Sequence, residues 1–151
     1  MRPDYARDVT DLPVVRLVDI RDQPLDTQEV LDALADQASG GVTLFVGTVR
    51  DHDGGKGVDG LEYSAHPSAL DRLREVCDEI AGKHDVRAVA AVHRVGRLAL
   101  GDAAVIVATS AAHRGEAFEA SRALIDRLKE SVPIWKHQLF EDGSEEWVGT
   151  P

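Results

Sequence analysis

Residues 42–49, VTLFVGTV, give the clearest strand signal in the chain. Nearly every position is β-branched or otherwise apolar, which is typical of a strand that is buried in a sheet. The segment before it predicts a helix that begins at Asp26, where Glu29 can close a capping box, and that ends at the glycine pair preceding the strand. Residues 51–60 contain four glycines and predict a mobile surface loop after the strand.

Further strands and helices follow this loop. Apolar runs predict more strands, helical spacing of apolar residues predicts two more helices, and the tail predicts a hairpin. The predicted strands span residues 61–65, 86–93 and 103–109. The second helix is predicted to begin at Pro67, the third helix to span residues 113–130, and the hairpin to cover residues 134–148. This order of elements predicts an α+β domain with a mainly antiparallel sheet.

The composition limits the possible classes of function. The chain has 151 residues, and its 17 Lys+Arg against 27 Asp+Glu give a net charge of −10. This acidic surplus argues against sequence-independent binding of nucleic acid or anionic lipid, because both need a surplus of cations. The sequence contains no apolar run of membrane-spanning length and no apolar core of a signal peptide. We therefore expect a soluble, cytoplasmic protein that binds neither nucleic acid nor membranes.

Three features that often carry chemistry give weak signals here. Cys77, the one cysteine, falls on the apolar face of the second predicted helix and is interpreted as a core residue rather than a nucleophile. The six histidines lack the spacing of zinc ligands, so no metal site is expected. Residues 54–57, GGKG, lack the full pattern of a nucleotide-binding phosphate loop and are interpreted as part of the surface loop.

A set of cationic residues is more informative. Arg50 follows the first strand, His113 and Arg114 open the third helix, and Lys129 and Lys136 lie on either side of that helix's end. Backbone N–H groups at a helix start, with an arginine beside them, suit a phosphate group. In a second interpretation, Lys129 offsets the helix dipole and Arg114 pairs with a carboxylate of its own helix. Spacing alone leaves both interpretations open.

Several motifs resemble those of one family, the large, catalytic subunit of molybdopterin synthase. Residues 42–52 resemble its signature strand, and the likeness is sharpest in residues 110–120, SAAHRGEAFEA. It covers roughly residues 40–148 in unbroken order. The other matching motifs are Leu61-Glu62-Tyr63, His93-Arg94-Val95-Gly96, Gly101-Asp102, Leu128-Lys129 and Pro133-Ile134-Trp135-Lys136.

The resemblance implies a fold and a domain boundary. It implies an α/β hammerhead-type α+β domain over residues 26–151. Residues 1–25 precede the resemblance and are interpreted as an N-terminal extension.

The resemblance also implies an activity and its partners. A small ubiquitin-like carrier would deliver sulfur from its C-terminal thiocarboxylate to cyclic pyranopterin monophosphate. The product would be the dithiolene of molybdopterin, in molybdenum cofactor biosynthesis. Two copies of this chain would form a homodimer, and each would bind one carrier to give a heterotetramer. No cofactor or metal is needed at this step.

Carried over by motif, the resemblance implies a set of substrate-binding residues, and we expect two of them, Lys129 and Lys136, to be catalytic. Their positive charges would act where negative charge builds as sulfur leaves the carrier. His137 and Gln138 stand where some relatives carry Arg-Glu. The implied substrate-binding residues are Thr48, Val49, Arg50, His113, Arg114, Lys129, Lys136, His137 and Gln138.

Two other classes of function remain open at this stage. The chain could be a non-catalytic family member that binds a phosphorylated pterin or a carrier tail. It could also be an acidic dimeric regulatory domain, which would need no cationic cluster. The presence of the cations named above favours the enzyme.

Overall fold

The computed structural model describes residues 12–148, in which three helices and two sheets form an α+β fold. This confirms the class predicted from the sequence. The elements in chain order are β1 (Val15–Arg21), α1 (Thr27–Ala33), β2 (Gly41–Thr48), β3 (His52–Asp53), β4 (Lys56–Ala65), α2 (Ala69–Lys83), β5 (Ala88–Arg94), β6 (Gly96–Leu98), β7 (Ala103–Ala111), α3 (Arg114–Ser131), β8 (Ile134–Phe140) and β9 (Glu145–Val148).

The strands form two sheets, and the three helices pack on the first of them. The first sheet has the strand order β1-β5-β7-β2, and the second has the order β3-β4-β8-β9 with β6 paired to β4. The β1–β5 pair is parallel, and the other strand pairs of the described residues are antiparallel. Helices α2 and α3 pack on one face of the first sheet, and α1 packs on the other.

Strand β5 is buried on both faces of the first sheet. Its residues Val89 and Ala91 face α2 and α3, whereas Ala90 and Val92 face α1. Successive side chains of a strand point to opposite faces, so a strand covered on both sides reads as one continuous apolar run. A smaller cluster around Val49 contains Leu61, Leu98 and Ala104, and it joins the two sheets.

Strand β1 lies in the segment for which the sequence predicts an N-terminal extension. It pairs in parallel with β5, and Arg16 on this strand reaches the buried carboxylate of Asp36 at 3.3 Å. The sheet of the domain therefore begins at Val15, before the predicted boundary. Residues 1–11 lie outside the described residues.

Helix α1 is shorter than predicted. It ends at Ala33 rather than at the glycine pair. Asp26 caps it by accepting a hydrogen bond from the Gln28 backbone N–H at 2.9 Å. Glu29 does not close the predicted capping box, because its carboxylate binds the Arg21 guanidinium of β1 at 2.5 Å.

The glycine-rich segment is a hairpin rather than the mobile loop predicted. Strands β3 and β4 pair directly, and Gly54 and Gly55 form the turn between them. These glycines have φ angles of +58° and +82°, a region that residues with a side chain rarely adopt. The hairpin therefore places Asp53 on β3, at the edge of the second sheet.

No helix within residues 12–148 combines the length and apolar composition that crossing a bilayer requires.

Candidate active site

A cavity of about 380 Å³ opens where the end of β2 meets the second sheet and the last turn of α3. Six residues of the predicted site set line it, which are Thr48, Val49, Arg50, Lys129, Lys136 and Gln138. Asp53 of the β3–β4 hairpin is the one carboxylate among the lining residues. The cavity therefore concentrates positive charge in a chain whose net charge is −10.

The end of α3 explains how two lysines reach one cavity. Lys129 lies in the last turn of this helix, and the helix ends at Ser131 because Pro133 prevents its continuation. Strand β8 starts at once at Ile134 and carries Lys136 back along the second sheet. Lys129 and Lys136 are thus brought together by a tight reversal of the chain.

Three consecutive residues of the predicted site lie on β8, and their side chains point alternately to the two faces of the sheet. Lys136 and Gln138 point to the cavity, whereas His137 points to the opposite face of the sheet. There its ring stacks on Trp147 at a centroid distance of 4.2 Å, and its Nε2 lies 3.1 Å from a Glu145 oxygen. The structure therefore places His137 outside the cavity.

Val49 lines the cavity, and its backbone anchors the chain there. Its side chain is only 5% exposed. Its backbone N–H donates to the Asp102 carbonyl at 3.0 Å, and its own carbonyl accepts from the Gly101 N–H at 2.8 Å. Both backbone groups are therefore engaged, and they hold the flanking Thr48 and Arg50 at the rim.

Asp53 organises the cations of the cavity. Its carboxylate accepts a hydrogen bond from the Gln138 amide at 2.5 Å and lies 3.8 Å from the Arg50 guanidinium. The hydrogen bond from Gln138 holds the pKa of Asp53 below its usual value, with smaller contributions from Lys136 and Arg50. The carboxylate therefore stays ionised beside these cations. Sequence reasoning missed Asp53, although its position before a Gly-Gly pair is typical of a hairpin turn.

Lys136 is partly buried among like charges. Burial lowers the pKa of its ammonium group, and the charges of Lys129 and Arg50 lower it further while Asp53 opposes them. Such a group releases its proton more readily than an ordinary lysine does. An anion bound in the cavity would relieve this repulsion.

His113 and Arg114 lie at the opposite end of α3 from Lys129. Arg114 and Lys129 are fifteen positions apart on this helix, which corresponds to about 22 Å along the axis. Both residues are exposed and line a separate depression beside Gly40 and Glu116. Arg114 forms no ion pair with the residues of the described range, so the intrahelical pairing considered above is not present. One chain alone does not bring them to the cavity.

The cysteine and the potential metal ligands were also located in the structure. Cys77 is fully buried between α2 and the sheet, and burial raises the pKa of its thiol to about 12. It is a core residue, as predicted. Residues 12–148 contain no group of three or more side chains placed to hold a metal ion.

Comparison with known proteins identifies the family. The family model described as MoaE protein matches residues 20–131, which is most of the chain. The chain belongs to the MoaE family. The match begins within β1 and ends at the last residue of α3, so it includes Arg114 and Lys129 but not Lys136.

MoaE relatives in distant organisms are similar over most of the chain. Molybdopterin synthase catalytic subunit 1 of Mycobacterium tuberculosis is 45% identical over 131 residues, which cover 86% of this chain and 88% of that protein. The molybdopterin synthase catalytic subunit of Homo sapiens is 39% identical over 128 residues, covering 84% of this chain and 68% of that protein.

Two solved structures share the fold of this chain. The crystal structure of molybdopterin synthase from Staphylococcus aureus matches with a TM-score of 0.81 and 35% identity, covering 88% of this chain and 97% of that chain. A complex of subunits 1 and 2 of molybdopterin-converting factor from Helicobacter pylori matches with a TM-score of 0.64 and 22% identity, covering 91% and 90%.

Proposed function

We propose that this chain is the catalytic subunit of a cytoplasmic molybdopterin synthase. It transfers sulfur from the C-terminal thiocarboxylate of a small ubiquitin-like carrier to cyclic pyranopterin monophosphate and so makes the dithiolene of molybdopterin. One observation carries the proposal. Arg50, Lys129 and Lys136 line the same cavity, and Asp53 is the one carboxylate among its described lining residues. Both reactants are anionic, and this cavity offers the cations that bring them together.

The two lysines have distinct tasks in this proposal. In this scheme the carrier's sulfur bonds to a pterin carbon and displaces an oxygen there, on which negative charge builds. Water then attacks the tail's carbonyl carbon, negative charge builds on the carbonyl oxygen, and the carbon–sulfur bond breaks to leave sulfur on the pterin and the tail as a carboxylate. A cation placed where this charge develops stabilises the transition state more than the ground state. Lys129 is exposed and has no carboxylate partner among residues 12–148, so its charge is available to the reaction. Lys136, held beside Asp53, binds the phosphate together with Arg50.

The proposed partner is the small carrier subunit. The Helicobacter pylori structure is a complex of two molybdopterin-converting factor subunits, and the similarity of the present fold supports an equivalent pairing. A chain of net charge −10 repels acidic partners at long range. We therefore expect the carrier to dock through apolar contacts and through insertion of its tail rather than through charge steering.

The proposed homodimer forms through the free edge of β2. This strand is the last of the first sheet, so one row of its backbone N–H and C=O groups has no strand neighbour within residues 12–148. Such an edge is a template for pairing with another chain. The large exposed apolar side chains Val42, Phe45 and Phe118 flank it, with exposed fractions of 50%, 40% and 63%. A second copy that pairs here would cover all three.

Pairing of two β2 strands also accounts for Arg114. The start of α3 lies against Gly41, where an added Cβ would come within 3.1 Å of the Arg114 Cα. Thr48, at the other end of β2, lies at the cavity. A two-fold axis at the centre of β2 sets Gly41 of each copy opposite Thr48 of the other. Arg114 of one copy would then join the cavity of its partner.

Reconstitution tests the proposed function. The purified chain is incubated with thiocarboxylated carrier and cyclic pyranopterin monophosphate, and dithiolene formation is measured. A carrier that ends in an ordinary carboxylate is the matched control. We expect product only with the thiocarboxylate. Tight binding of both reactants without product would instead indicate a non-catalytic binding module.

A further inference from the structure

His93 is a buried polar residue that the proposed site does not yet use. It lies on β5, on the face where Val89 and Ala91 form the core under α2 and α3. Its side chain is only 6% exposed. Because this face is otherwise apolar, a histidine here needs partners for both ring nitrogens.

The hydrogen bonding of His93 defines which nitrogen is free. Its Nδ1 lies 2.7 Å from the Arg94 carbonyl oxygen. A carbonyl oxygen only accepts, so Nδ1 carries the proton and Nε2 carries a lone pair. Burial lowers the pKa of His93 to about 4, so the ring is neutral at physiological pH. Nε2 has no hydrogen-bond partner among residues 12–148.

A second cavity connects His93 to the two lysines. It measures about 190 Å³ and shares Tyr63, Lys129 and Lys136 with the lining of the candidate active site. Its polar lining residues are Tyr63, His93, Lys129 and Lys136, and the rest of its wall is apolar. The Tyr63 ring stands edge-on to the His93 ring at a centroid distance of 4.9 Å. The volume is enough for ordered water, since one water occupies about 30 Å³ in the liquid.

Of the two lysines, Lys129 is the one that has no carboxylate partner among residues 12–148. Lys136 stands opposite Tyr63 in the β4–β8 ladder and has Asp53 as its counter-charge. Lys129 has no carboxylate within ion-pair distance in the described range, and its charge acts on the His93 ring. A neutral acceptor orients an ammonium group without cancelling its charge, whereas a carboxylate would neutralise it.

We propose that His93 is a positioning residue for Lys129. Its Nε2 accepts a hydrogen bond from one water in the second cavity, and this water accepts a hydrogen bond from the Lys129 ammonium group. The hydrogen bond aims the full positive charge of Lys129 into the active site. The inference deepens the proposed function and rests on it for its catalytic consequence, but the hydrogen bond itself is testable without sulfur transfer.

Nitrogen NMR of the labelled imidazole tests the hydrogen bond directly. The His93 signals of the unmodified protein should show a protonated Nδ1 and an unprotonated Nε2. The Lys129→Met variant should shift the Nε2 signal towards that of a free lone pair, and the matched Lys136→Met variant should leave it in place. A protonated Nε2, or a signal that ignores Lys129→Met, would overturn the proposal. Neither result depends on whether the chain transfers sulfur.

Two substitutions at His93 test the consequence for catalysis. His93→Asn keeps an amide donor near the Arg94 carbonyl but removes the acceptor at Nε2, whereas His93→Gln extends an amide oxygen towards the Nε2 position. We expect His93→Asn to lower kcat about tenfold with a smaller change in KM, and His93→Gln to recover part of the loss. Equal losses in both variants, in step with lowered melting temperatures, would show a structural role only. An unmodified chain that forms no dithiolene would refute the proposed function instead.

Discussion

Lys129 is the residue on which the proposed chemistry depends most. Removal of a group that stabilises developing charge lowers kcat by about 10²–10³. We expect Lys129→Ala to show a loss of this size in single-turnover sulfur transfer, with carrier binding unchanged. Lys83 provides a matched control, because it is an exposed lysine in the last turn of α2 and lies outside the cavity.

Arginine at position 129 should not restore the full rate. Its planar guanidinium places its donors differently from an ammonium group and does not release a proton. A near-normal rate for Lys129→Ala would reassign the residue to a helix-end charge. A full rate for Lys129→Arg would show that charge alone suffices.

His93 also makes stability depend on pH. Its pKa is lowered to about 4 by burial, whereas the histidine of an unfolded chain titrates near 6.5. Between these values the unfolded chain binds a proton that the folded chain does not. The free energy of unfolding should therefore fall as pH drops from about 6.5 to about 4, by on the order of 3 kcal/mol in total.

Urea denaturation across this pH range measures the effect. The His93→Asn variant should lack this part of the slope while keeping the part due to carboxylates such as Asp36, whose pKa is lowered in the folded chain. Parallel slopes in the two proteins would mean that His93 is not held neutral in the fold.

The site residues differ in how far the sequence predicts them. Lys129 and Lys136 are predictable as a pair, because Pro133 forces a reversal between them. Asp53 reaches the cavity only through the tight turn between β3 and β4 and through the pairing of β4 with the distant strand β8. A local pattern does not encode such a long-range contact. His93 is visible only as a polar residue that ends an apolar run.

At the scale of elements, β2 and its free edge carry the dimer prediction. The Val42→Lys/Phe118→Lys double variant places charges on both sides of this edge, and charged residues on an edge strand oppose pairing between chains. We expect light scattering to show a dimer for the unmodified chain and a monomer for the double variant. Leu31→Lys, which replaces an exposed leucine on α1, is the control and should remain dimeric. A monomeric unmodified chain would rule out the proposed homodimer.

Strands β2, β5 and β7 are predictable because each is an apolar run bounded by glycine or polar residues. Strand β1 is not, since its sequence VRLVDIR mixes charges with apolar residues. Within residues 12–148 it is an edge strand with one strand neighbour. Arg16 pairs with Asp36 beyond α1, and Arg21 pairs with Glu29 on α1. The pairing that makes it a strand is with β5, far along the chain.

At the scale of the whole molecule, the distance between Arg114 and Lys129 becomes a prediction about assembly. If each active site takes Arg114 from the partner copy, a heterodimer of Lys129→Ala and Arg114→Ala subunits contains one intact site and one site lacking both groups. With differently tagged subunits and substrate below KM, the purified heterodimer should retain about half of the unmodified activity, although both homodimers are impaired. Arg114→Ala alone should mainly raise KM, because a bound phosphate is held alike in ground and transition states. If Arg114 and Lys129 instead served the same subunit, each site of the heterodimer would lack one group, and its activity would be no higher than the mean of the two impaired homodimers. The heterodimer thus separates a site shared between copies from one that a single chain completes.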